Sequence, residues 1–97
     1  MRMVIYRYEL PDGGGPFFTK DGHNRIYPSI IFNDNTISGC GNITLLDDWF
    51  RNENIPTNDF KLQKYIGEVV YIGKKSGEIR LKQNTAIKLK IKEILWI

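Results

Sequence analysis

The chain has one cysteine and one histidine among 97 residues, and each scarcity removes a class of chemistry. With Cys40 alone no intrachain disulfide can form, whereas small exported domains are ordinarily stapled. With His23 alone there is no second imidazole for a multi-histidine metal site. No apolar run approaches the ~20 residues that a membrane helix needs. The opening stretch Met1–Glu9 interrupts its apolar residues with Arg2 and Arg7, so it lacks the apolar core of a secretory leader. These absences predict a cytoplasmic protein with no membrane partner. Asn42-Ile43-Thr44 matches a glycosylation acceptor, which without an export route is a chance match.

What is present describes an ordinary globular chain. Hydrophobic residues make up 41% and charged residues 26%, with five Phe, five Tyr and two Trp to fill a core. A chain of this length buries roughly 60–70% of its unfolded surface, enough for one core, so residues 1–97 are read as a single domain. The net charge of +3 conceals an asymmetry. Residues 1–60 carry a balance of −3 and residues 61–97 a balance of +6.

Residue order supplies the fold class. Met1–Leu10 is β-branched and aromatic and reads as a strand, stopped by Pro11-Asp12-Gly13-Gly14-Gly15-Pro16. Phe17-Phe18-Thr19 and the turn Lys20-Asp21-Gly22 follow. Arg25–Phe32 reads as a further strand that Pro28 confines to an edge or a bulge. One helix is predicted from Thr44 as N-cap, with Asp47 and Asp48 in the first turn and Leu45, Leu46, Trp49 and Phe50 on one apolar face. At about two and a half turns it cannot stand alone and must dock on a sheet. From Phe60 the period becomes two, with strands around Leu62, Glu68–Ile72, Glu78–Lys82 and Ile87–Lys92. An odd loop, Gln83-Asn84-Thr85 with Asn84 in the left-handed position, would join the last two as a hairpin. The prediction is α+β: a mostly antiparallel sheet, one short amphipathic helix packed on one face, and a C-terminal β-meander.

That meander would place Ile79, Leu81, Ile87, Leu89 and Ile91 on one face. Arg80, Lys82, Lys88, Lys90 and Lys92 would form the other, with Lys74 and Lys75 at the adjoining turn. A basic face of this kind can track a phosphate backbone and so bind nucleic acid. The plainer account is a solvated sheet face, with edge lysines that discourage aggregation. The cofactor motifs fail. Asp12-Gly13-Gly14-Gly15 lacks dinucleotide spacing, and Gly67–Ser76 is one residue too long for a phosphate loop and is not followed by a helix. His23 near Asp21 and Asp12 could act as a general base, and with Arg7 suggests a small nucleotide-binding protein or enzyme. The simpler reading is a surface loop histidine. Cys40 has no identifiable base. Asp34, Asp47, Asp48, Glu53 and Asp59 could form an acidic patch that occupies a basic nucleic-acid channel of a larger partner, though helix capping and the helix dipole already account for Asp47 and Asp48. No catalytic residue, cofactor or metal ligand is assigned.

Ile5-Tyr6-Arg7-Tyr8-Glu9, Asp12-Gly13-Gly14-Gly15-Pro16-Phe17, Gly39-Cys40 leading into Leu45-Leu46-Asp47-Asp48-Trp49-Phe50, Phe60-Lys61-Leu62 and Val69-Val70-Tyr71 occur in that order. In this order the chain resembles a group of small uncharacterised proteins carried by bacteriophages and prophages, departing from it in the lysine-rich tail. The resemblance implies an anti-CRISPR-like inhibitor that binds a host protein or ribonucleoprotein complex stoichiometrically. On that reading Tyr6, Tyr8, Tyr27 and Tyr65 are the expected anchors of the contact.

Overall fold

The computed structural model describes residues 1–11, 13–15, 35–74 and 77–91. Among these residues it is an α+β fold with five strands and one α-helix: β1 (Arg2–Glu9), β2 (Thr36–Cys40), α1 (Ile43–Asn52), β3 (Lys61–Ile72), β4 (Glu78–Lys82), a 3-10 turn (Gln83–Thr85) and β5 (Ile87–Leu89). All pairings are antiparallel, as the alternating periods predict. The predicted strand at Arg25–Phe32 lies outside the described residues.

The sheet closes on itself. Its order is β1-β2-β4-β3-β5, and β1 pairs with β3 as well, so four strands form a ring. The long β3 makes this possible. Its first eight residues run against all of β1, from Glu9↔Lys61 to Arg2↔Glu68, and its last residues run against β4. A register shift between Val69 and Tyr71 marks a bulge, which bends the strand from one partner to the other.

Closure gives β1 two faces with separate cores. Ile5 packs inside the ring with Ile79 and Leu81, supported by Met3, Ile37, Tyr65 and Val69. Tyr6 and Tyr8 point outward, where Cys40, Leu46, Phe50 and Ile55 form a second core with Trp49, Phe60 and Leu62. Phe50 and Phe60 meet edge-to-face at 5.4 Å, and Tyr8 meets Phe50 at 4.9 Å. The helix therefore docks on one sheet face through Leu46 and Phe50, as its apolar stripe requires.

Its start differs from the expected one. Asn42, not Thr44, is the N-cap, its Oδ1 accepting from the Leu45 backbone N–H at 2.9 Å. No acidic residue falls in the first turn. Asp47 instead accepts from the Tyr8 hydroxyl, and Asp48 pairs with Arg51 at 3.0 Å.

The last two strands also differ from expectation. β4 and β5 do not pair with each other; both lie along the same edge of β3. Gln83–Thr85 forms a 3-10 turn, and Asn84 is not left-handed. The Thr85 hydroxyl fixes this turn, accepting from Glu68 N–H at 3.0 Å and donating to the Lys82 carbonyl at 2.7 Å. The chain spends six residues from Leu81 to Ile87 while β3 spends three from Val69 to Ile66. That odd excess turns β5 over. Leu81 faces the interior, while Ile87 faces outward and is 56% exposed.

Candidate interaction surfaces

The inversion of β5 divides the predicted basic face. Arg80 and Lys82 project from the outer side of β4, with Lys74 exposed at the β3–β4 turn. Lys88 shares a register position with Tyr65, whose ring faces the interior, so it sits at one mouth of the ring. Lys90 is exposed beyond the end of β5. Lys75 and Lys92 lie outside the described residues. Among the described residues the predicted ladder is therefore two separate groups of cations.

The group at the mouth is organised around Glu9, which is buried beside a buried Arg7. Glu9 Oε2 lies 3.2 Å from Arg7 Nε and accepts from the Tyr65 hydroxyl at 2.5 Å. Its Oε1 lies 3.9 Å from Lys88 Nζ, which also stands 5.7 Å from the Tyr65 ring centroid. A carboxylate this far from water needs such compensation. Burial, then the bond to Glu9 and its charge, push the Tyr65 phenol well above its ordinary value, against an opposing effect from Arg7. Tyr65 is thus a fixed hydrogen-bond donor, and Glu9 is an acceptor whose positions are largely taken. Beside them opens a cleft of about 390 Å³, lined by residues that include Glu9, Pro11, Phe60, Gln63 and Lys88.

The predicted anchors serve the interior more than the surface. Tyr8 is half-buried between Phe50 and Phe60. Burial and the Asp47 carboxylate push its hydroxyl up to about 12. Tyr6 is half-buried, with Lys64 Nζ 5.7 Å from its ring centroid. Tyr65 closes the Glu9 cluster. Tyr27 lies outside the described residues. Among the described residues the tyrosine most open to solvent is Tyr71, which is not one of the predicted anchors, at 47% exposure. It stands between Val70 at 50% and Ile72 at 49%, on the strand that enters the β3–β4 turn. The Arg80 guanidinium lies 4.8 Å from the Tyr71 ring centroid and pairs with Glu78 at 3.3 Å. The missed signal was the run Val69-Val70-Tyr71-Ile72. Its lack of alternation marks a bulge as readily as a strand buried on both faces.

Asp12 and His23 lie outside the described residues, and Arg7 is engaged with Glu9. Cys40 is buried, and burial with the nearby Glu78 charge pushes its thiol up to about 11, which disfavours the thiolate a nucleophile needs. Among the described residues no group of three His, Cys, Asp or Glu side chains is placed to hold a metal ion. None of the described helices is long and apolar enough to cross a membrane. Comparison with known proteins found no matching family model, no matching curated protein and no matching solved structure.

Proposed function

We propose that the chain is a stoichiometric binding protein: a phage-type, anti-CRISPR-like inhibitor that occupies a bacterial immune effector in the host cytoplasm. The observation that carries the binding role is the exposure of Val70, Tyr71 and Ile72 side by side on a hydrogen-bonded hairpin. Consecutive large apolar side chains on a rigid element are the usual anchors of a protein contact. The immune effector as target rests on the resemblance to phage and prophage proteins alone.

Bacteria carrying an active CRISPR system, challenged with a phage that the system targets, provide the test. Expression of the chain is expected to raise plaquing by about tenfold or more across a small panel of system types. Unchanged plaquing throughout the panel would overturn the inhibitor reading. The alternative, a nucleic-acid module, draws on Arg80 stacked against Tyr71 with Lys82 nearby. It predicts affinity that falls steeply with salt.

A further inference from the structure

Beyond Glu68, β3 outruns β1. Their register stops at Arg2↔Glu68, and one further bond runs from Val69 N–H to the Met1 carbonyl at 2.8 Å. Val70–Ile72 then pair with β4 on one edge and, among the described residues, have no strand on the other. An open strand edge is a template for another strand. Here it coincides with the exposed side chains of the same three residues. Leu45, itself 40% exposed, extends the apolar surface at the end of the hairpin turn, lying against Gly77.

The exposed charge around the hairpin is mostly basic. Lys74 and Lys82 are exposed on this hairpin. Arg80 is engaged by Glu78 and Tyr71, and Glu78 is buried against it. The other acid nearby, Glu68, is exposed and lies in register between two exposed cations, Arg2 on β1 and Lys82, which follows Leu81 on β4. Resting on the reading of the chain as a partner-binding protein, we infer that the Val70–Ile72 edge of β3 receives an extended segment of the partner that is acidic and carries large apolar side chains. Main-chain bonds to the open edge supply affinity, and alternate side chains on Val70, Tyr71 and Ile72 supply specificity. Carboxylates beside Lys74 and Lys82 set the direction and speed the encounter. Protein is favoured over nucleic acid because aliphatic Val70 and Ile72 flank the ring, leaving a single aromatic where single-strand binders line up several.

A random peptide library displayed on yeast, selected with the purified chain, tests this directly. The expected winners are enriched in Asp and Glu next to Leu, Ile, Phe or Tyr. They lose about tenfold or more in affinity towards Tyr71→Ser and towards the double reversal Lys74→Glu, Lys82→Glu. Both variants change exposed side chains, and retention of the native circular-dichroism spectrum accompanies each comparison. Winners without acidic enrichment, or winners indifferent to both variants, would overturn the inference. So would a labelled oligothymidine that binds more tightly than any selected peptide and is lost in Tyr71→Ser. In the plaquing assay, activity that survives both variants contradicts this surface while leaving the inhibitor reading intact, whereas no activity at all removes that reading.

Discussion

Tyr8 and Tyr65 donate their hydroxyl protons to carboxylates on neighbouring elements, Asp47 and Glu9, and both phenols are raised above their ordinary value of 10.0. The neutral phenol is therefore the form the fold favours. Its stabilising contribution is complete below pH 10 and is lost as the pH climbs towards about 12 for Tyr8, and higher still for Tyr65. An absorbance titration of tyrosinate is expected to show Tyr8 and Tyr65 ionising late, together with unfolding. Ionisation of Tyr8 and Tyr65 near pH 10, with the fold intact, would contradict both hydrogen bonds. These roles were not legible in the sequence, where a tyrosine on an alternating strand reads as a surface anchor. Whether the ring faces solvent or a helix depends on how the sheet closes, and that is set by residues far away in the chain.

At the scale of elements, the ring depends on a close crossing of β1 and β2, joined by the single register pair Tyr6↔Cys40. A side chain at Gly39 would set its Cβ 2.3 Å from the Tyr6 carbonyl oxygen and 3.0 Å from Ile5 Cδ1. The first is backbone and cannot give way. Gly39→Ala is expected to cost about 3 kcal/mol, read as a lower urea midpoint. An unchanged midpoint would mean that this crossing carries no strain-sensitive contact. The sequence did announce β1, the helix with its buried Leu46 and Phe50, and the turn before β4, because each has local period and local stop signals. It did not announce the ring. Period alone says that Ile87 and Leu89 share a face with each other, not that a 3-10 turn held by Thr85 sets them opposite Leu81. The predicted basic ladder divided for the same reason. One odd insertion carries Lys88 to the Glu9 cluster and leaves Arg80 and Lys82 on the outside.

For the whole molecule, the polar and apolar features serve different ends. The Glu9 cluster joins β1, β3 and β5 at one mouth of the ring, and its charges are compensated from within. The hairpin beyond the bulge leaves apolar side chains uncovered and carries exposed lysines. A buried ion cluster lends specificity to the fold, while an uncovered edge lends itself to a partner. The sequence hinted at the second through its basic C-terminal balance, but exposure is a property of the folded face and had to be read there. The most direct measurement of the binding claim is a pull-down from bacterial lysate with the tagged chain, with and without nuclease, set beside the Tyr71→Ser variant. The account predicts a defined protein that survives nuclease treatment and is lost with the variant. Recovery that disappears with nuclease would contradict the binding claim, and recovery that is the same for the variant would contradict the Tyr71 surface.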